Sequence, residues 1–215
     1  TAGKSVALVG HNGAGKSTTI SIICTTLQKD SGRVFIDGVD IDTGAKELKN
    51  KIGVVFQNSV LDKSLTVRQN LTYRASLYDI FDKNLQDKIE YLSTILDFKD
   101  FIDRPVGKLS GGQRRKIDIA RALLHKPKIL ILDDSTSAVD TKTDALLRKA
   151  FREQIPHTTK FIIAQRISSV QDSDIIIVME DGQINGVGTH EQLLNSNRIY
   201  QEVYYSQVKG GSDNA

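Results

Sequence analysis

Tryptophan is absent from the 215 residues, cysteine and methionine occur once each, and proline occurs three times. A single cysteine excludes a disulfide framework, and with four scattered histidines it leaves no Cys/His cluster for a structural metal. Cys24 therefore reads as a free, buried thiol of a reducing compartment. No apolar run approaches the roughly 18 residues of a membrane span. The longest, Ile129-Leu130-Ile131-Leu132 and Ile175-Ile176-Ile177-Val178, have the length of buried parallel strands. No signal-like segment opens the sequence, so any membrane attachment is expected from another polypeptide or region. The net charge of +3, from 29 basic and 26 acidic residues, is small and dispersed, so no nucleic-acid partner is expected.

What is present is an alternation of strand-like and helix-like segments, which predicts one α/β domain with a mainly parallel sheet. The expected strands are Val6–Val9, Arg33–Ile36, Ile52–Phe56, Ile129–Leu132, Lys160–Ile163 and Ile175–Met179. Gln183–Val187 is expected to pair with the last of these through Glu180-Asp181-Gly182, because Asp-Gly favours a hairpin. Between Ser64 and Leu124 the apolar spacing turns helical, over Thr66–Tyr78, Asn84–Leu96 and Gly111–Leu124. The reading is a single unit, with residues 1–58 and 125–208 as the α/β core and 59–124 as an inserted helical lobe. The polar tail 209–215 is expected to fray.

The chemistry concentrates in Gly10-His11-Asn12-Gly13-Ala14-Gly15-Lys16-Ser17, a complete G-x-x-x-x-G-K-S phosphate loop. A strand-like run, Ser5–Val9, enters it and a helical pattern from Lys16 through Leu27 leaves it, which is the context the motif needs. Glycines let consecutive backbone N–H groups turn onto phosphate oxygens, and the helix N-terminus adds partial positive charge. Asn12, Gly13, Ala14, Gly15, Lys16, Ser17 and Thr18 are the expected phosphate cradle. Lys16 is expected to reach the outer phosphates, and Ser17 to ligate Mg²⁺. A Gly-rich turn before an ordinary helix is the plain alternative.

Further features follow in fixed order. Ile129-Leu130-Ile131-Leu132-Asp133 is a buried strand ending in a carboxylate, suited to holding Mg²⁺ through water. Gln57 ends the strand Val54-Val55-Phe56 and offers a side-chain oxygen near the metal. Leu109-Ser110-Gly111-Gly112-Gln113 opens a second helix and forms another anion-binding N-terminus, too far along to serve the first loop within one chain. Ser137-Ala138-Val139-Asp140 and Gln165 complete the series. This ordered set resembles the nucleotide-binding domain of ATP-binding cassette (ABC) transporters over nearly the whole chain.

The resemblance implies a P-loop NTPase core, ATP and Mg²⁺ as ligands, and a head-to-tail pair of such domains around two ATP molecules. Lys16, Ser17, Gln57 and Asp133 would serve the chain's own nucleotide. Ser110, Gly111, Gly112 and Gln113 would cap the nucleotide held by a second such domain, and Asp140 would lie at the interface between them. Arg114-Arg115-Lys116 reads as a basic first turn near that nucleotide or as an exposed helix face. The partners implied are a second nucleotide-binding domain and the transmembrane domains of an exporter, which would hold the chain at the inner face of the membrane. The surface from Gln57 to Arg74 is the expected contact with them.

The chain departs from the family at several places. Asp134 stands where the family usually carries the glutamate that polarises the attacking water, and Gln165 where it carries a histidine. A carboxylate one methylene shorter retracts from the water, and a misplacement of about 1 Å costs roughly a hundredfold. A Gln amide donates a hydrogen bond but carries no charge. Together they resemble the degenerate half of a heterodimeric exporter, so weak hydrolysis at the chain's own site is expected. An ATP-gated dimerisation or interaction module with negligible turnover is the alternative. Only nine residues precede Gly10, so the family's adenine-stacking aromatic and the first strands of its antiparallel lobe are expected to be missing. Residues 10–132 resemble stand-alone ATPase subunits of antibiotic-resistance exporters, and 133–205 resemble fused exporter domains. Natural divergence and a recombined or engineered cassette both remain open on that evidence.

Overall fold

Five residues with buried Ala7, Leu8 and Val9 form β1 (Ser5–Val9), and the sheet grows outward from it. The computed structural model describes residues 3–133, 141–164 and 166–212. β1 pairs in parallel with β6 (Thr159–Ile163) on one side and β7 (Ile175–Glu180) on the other. β5 (Ile129–Asp133) continues the parallel sheet beyond β6, and β4 (Ile52–Val55) forms its outer strand. β8 (Gln183–Gly188) turns back antiparallel on β7 through Asp181 and Gly182, at φ of 46° and 78°. Two successive left-handed residues give the turn whose twist matches paired strands. The order is β4-β5-β6-β1-β7-β8, the mainly parallel sheet expected.

The antiparallel part is small: β2 (Phe35–Ile36) and β3 (Val39–Asp40) form a separate hairpin. It turns at Asp37 and Gly38, at φ of 52° and 77°. The expected strand from Arg33 is thus two residues long, and its Asp-Gly turn carries the signal that located the β7–β8 hairpin. α1 (Lys16–Ile23) is shorter than the expected run to Leu27. Thr25, at φ 58°, takes a left-handed conformation that ends it. α2 (Ala45–Leu48) leads into β4.

The region 59–124 holds α3 (Val67–Ser76), α4 (Asp82–Ile95) and α5 (Gly111–Leu123), with short 3-10 turns before α5. Thr66 and Gln69 cap α3 reciprocally, and Ser110 and Gln113 do the same for α5. Phe98, Leu71 and Leu96 of this region pack in one continuous cluster with Val55, Leu130 and Leu132 of the sheet. The helices therefore share a core with β4 and β5. After β5 come α6 (Thr141–Glu153), α7 (His190–Ser196) and α8 (Arg198–Ser212). Tyr200, fully buried, seats α8 against Ala7, Ile176 and Val178. The helical backbone of α8 runs through Ser212, into the segment expected to fray.

Candidate nucleotide site

In a parallel sheet, functional groups gather where the strands' C-terminal ends open into loops. Here β1 ends at Val9 before the Gly10–Ser17 loop, β4 at Val55 before Gln57, β5 at Asp133, and β6 at Ile163. A cleft of about 260 Å³ at that edge is lined by Gly13, Lys16, Ser17, Gln57, Asp133 and their neighbours. Asn12, Gly15 and Thr18 line it too, while Ala14 is buried beneath the loop.

Backbone geometry explains why glycine stands in the loop. Gly13 and Gly15 sit at φ of 88° and 94°, and Gly15 is the N-cap of α1. A Cβ on Gly10 would lie 2.2 Å from the Met179 carbonyl oxygen. The loop is thus pressed against the β7–β8 turn, whose Gly182 N–H donates to Ala14 O at 3.2 Å. Lys16 is a buried residue, and its Nζ donates to Gly10 O and His11 O at 2.8 Å each. Its ammonium is thereby fixed at the mouth of the loop.

Burial raises the Asp133 carboxyl above its ordinary value, while the positive charges of Arg115 and Lys16 pull it back. A carboxylate flanked by two cations suits phosphate and Mg²⁺ chemistry. The donors on the cleft are all hard oxygens: the Ser17 hydroxyl, the Gln57 amide and Asp133. Among the described residues no group of three or more His, Cys, Asp and Glu could hold a metal unaided. That set fits Mg²⁺ in particular, which takes one or two carboxylates plus phosphate and water.

Cys24 is half-buried; burial first, and the Asp133 charge second, push its thiol up to about 11. It is an unreactive thiol at neutral pH.

Ser110, Gly111, Gly112 and Gln113 do not line this cleft. They open α5, where Ser110 Oγ accepts from Gln113 N at 3.2 Å and Gln113 Oε1 from Ser110 N at 2.9 Å. The basic run after them is not an exposed helix face at Arg115 and Lys116. Both are more than nine-tenths buried. Arg115 Nη1 donates to Phe56 O at 2.7 Å, next to Gln57, and Lys116 Nζ donates to Asp97 at 2.9 Å. Arg115 thus belongs with the chain's own cleft. Burial of a cation was the missed signal, and sequence spacing does not carry it. Asp134, Asp140 and Gln165 lie outside the described residues.

A larger cleft, about 900 Å³, opens between β4 and the helices, lined by Lys46, Lys49, Arg74, Leu77, Tyr78 and Lys88 among others. It has no phosphate loop, and the cleft with the loop and Asp133 is the better nucleotide candidate.

The comparisons with known proteins agree with this geometry. A family model described as ABC transporter matches residues 1–137. An uncharacterized ABC transporter ATP-binding protein, YfiB of Bacillus subtilis (strain 168), is 40% identical over 212 residues. The match takes 95% of this chain and 36% of that protein. Among solved structures, a bacterial Atm1-family ABC exporter with ATP bound aligns at a TM-score of 0.84 and 33% identity, over 96% of this chain and 37% of that one. CbiO1 from Clostridium perfringens, part of the ABC transporter complex cbiONQ, aligns at 0.82 and 27% identity, over 94% of this chain and 84% of that one. The chain spans little more than a third of the length of YfiB and of the exporter chain. With motifs, fold and comparisons in agreement, the chain belongs to the ABC transporter family, whose ATP-binding domain it carries.

Proposed function

We propose that this chain binds ATP with Mg²⁺ in the cleft of the Gly10–Ser17 loop and serves as the energy-coupling domain of an ABC exporter. The observation that carries this reading is the convergence of Lys16, Ser17, Gln57 and Asp133 on one cleft. Backbone N–H groups at the start of α1 bind phosphate oxygens, and Lys16 meets the outer phosphates as a point charge. Ser17, Gln57 and water on Asp133 would hold Mg²⁺, which neutralises charge on the β- and γ-phosphates when bound. Ser110, Gly111, Gly112 and Gln113 cap the nucleotide of a second such domain, so ATP joins two chains head to tail. Asp134 and Gln165 stand at the sequence positions where the family usually carries a glutamate and a histidine, and both are poorly suited to activate water, which makes hydrolysis at this site slow.

Transmembrane domains are the second partner. The large cleft supports this, since among the described residues that line it Lys46, Lys49, Arg74 and Lys88 stand with a single acid, Asp79, and Leu77 is an exposed apolar side chain on it. An acidic, apolar segment of a membrane domain matches that surface.

The experiment is equilibrium binding of ATP with and without Mg²⁺, combined with phosphate release and ATP-dependent light scattering. Magnesium-dependent binding with dimer formation and slow, linear phosphate release supports the reading. Binding and dimerisation with no steady-state release would move the chain to the alternative, an ATP-gated interaction module, for which Asp134 and Gln165 speak. A chain that binds no ATP would refute both.

A further inference from the structure

Among the described residues β4 is an outer strand, so its outward carbonyls have no neighbouring strand there to bond. Three carbonyls at alternate positions, two on β4 and one on Phe56 just past its end, meet side chains from one segment. Phe56 O accepts from Arg115 Nη1 at 2.7 Å, Val54 O accepts from Arg121 Nη2 at 3.3 Å, and Ile52 O lies 3.1 Å from His125 Nε2. Alternate spacing is what a pleated strand presents along one edge. Arg115 and Arg121 lie on α5, and His125 follows just past its end.

The same helix grips the loop that leaves β4. Asp118, 3% exposed, accepts hydrogen bonds from the Ser59 hydroxyl and the Val60 N–H. Gln57 is therefore bracketed: the carbonyl before it is held by Arg115, and the residues shortly after it by Asp118. Arg115 is a buried cation, and burial raises the Asp118 carboxyl while the Ser59 hydroxyl, Arg115 and Arg121 pull it back, so both contacts lie where salt screens little. Four residues upstream of Arg115, α5 begins at Gly111, with Ser110 as its cap.

We propose that Arg115 and Asp118 are positioning residues that fix Gln57 to the helix bearing Ser110. The metal-site glutamine of one nucleotide and the loop offered to another chain's nucleotide then move as one body. This rests on the proposed roles of Gln57 and Ser110.

The test uses the full chain with Arg115→Gln and Asp118→Asn, each alone and combined with Gln57→Ala, with ATP and Mg²⁺ as probes. Each single variant should raise the Mg²⁺ concentration for half-maximal ATP binding about fivefold, and leave ATP affinity in EDTA within about twofold. In the Gln57→Ala background the same changes should add less than about twofold, because a positioning residue has nothing left to position. Coupling between Gln57→Ala and Ser110→Ala in ATP-driven dimerisation should vanish with Asp118→Asn. Effects that simply multiply with Gln57→Ala would overturn the inference, as would equal losses with and without Mg²⁺. If thermal melting shows that either variant is poorly folded, Ser59→Ala carries the test, since it removes one bond to Asp118 from an exposed residue. A parent chain that binds no ATP would overturn the functional reading itself; a parent that binds it normally while the variants behave additively would overturn only the tether.

Discussion

Gly10→Ala and Gly13→Ala should separate folding from binding within one loop. At Gly10 the added Cβ would sit 2.2 Å from Met179 O and 3.2 Å from Ala14 Cβ. Met179 belongs to β7 and pairs with Ile184 beside a register shift, and the clash is with its backbone rather than with a flexible side-chain end that could turn away. Overpacking of this kind costs about 1–3 kcal/mol, and a strained backbone adds about 1–3 more. A loss of about 2–6 kcal/mol is a large part of the roughly 5–15 kcal/mol that holds a domain folded. Gly13 differs: its φ is 88°, but a Cβ there meets nothing within 4 Å. Only the left-handed penalty remains, about 1–2 kcal/mol. The new methyl would, however, stand in the cleft that Gly13 lines, where phosphate must approach the backbone. Urea unfolding should show Gly10→Ala clearly less stable than Gly13→Ala at equal m-value, while Gly13→Ala loses ATP affinity by about tenfold or more. Equal stabilities would refute the packing of the loop on β7. Parent-like ATP affinity in Gly13→Ala would refute the approach of phosphate at that position.

Three further outcomes follow from the same contacts. Lys16→Ala removes the two bonds to Gly10 O and His11 O and the charge at the loop mouth. Its ATP affinity, measured by titration calorimetry, should fall by at least tenfold, since a bond to a charged group is worth about 1.5–3 kcal/mol. Asp134→Glu should raise steady-state phosphate release by roughly ten- to a hundredfold if a one-methylene retraction is what slows the site; an unchanged rate would reject that cause. His125, stacked on Tyr78 at 4.1 Å, is held down to about 4, by burial first and by Arg74, Lys88 and Arg121 after it, against the bond to Ile52 O. Its folded value lies below the unfolded 6.5, so the unfolded chain takes up the proton first, and stability should fall as pH drops from about 6.5 to about 4. Partial exposure discounts the effect to about 1–2 kcal/mol, readable as acid-side destabilisation absent in His125→Phe.

The sheet was legible because buried strands of four to six residues separate cleanly from the amphipathic segments around them. Ile129–Asp133 and Ile175–Glu180 fall where the apolar runs end. The phosphate loop, Gln57 and Asp133 were legible as motif positions, and parallel topology then brings their strand ends to one edge. Boundaries were harder. α1 stops early because Thr25 turns left-handed, which helical periodicity does not record. The β2–β3 hairpin is too short to show alternation, although Asp37-Gly38 announces its turn. Three helices carry the same Ser/Thr-x-x-Gln capping box, at Thr66, Ser110 and Thr189, and that spacing marks their starts more sharply than hydrophobicity does.

The run Arg114-Arg115-Lys116 shows why the rest stayed hidden. In sequence it is one basic feature, to be kept or discarded whole. On a helix, consecutive residues point about 100° apart, so three neighbours face three surroundings. Arg114 Nη1 turns back to Leu109 O at 2.7 Å, beside Ser110 at the start of α5. Arg115 crosses to Phe56 O and to the field of Asp133. Lys116 holds Asp97, whose φ of 54° closes the segment after α4. The three substitutions should therefore fail in different assays. Arg114→Ala should weaken ATP-dependent dimerisation, Arg115→Gln the Mg²⁺ dependence of ATP binding, and Lys116→Ala chiefly thermal stability. If all three variants lost the same property to the same extent, charge alone would explain the run, and the separate destinations of its side chains would carry no functional weight.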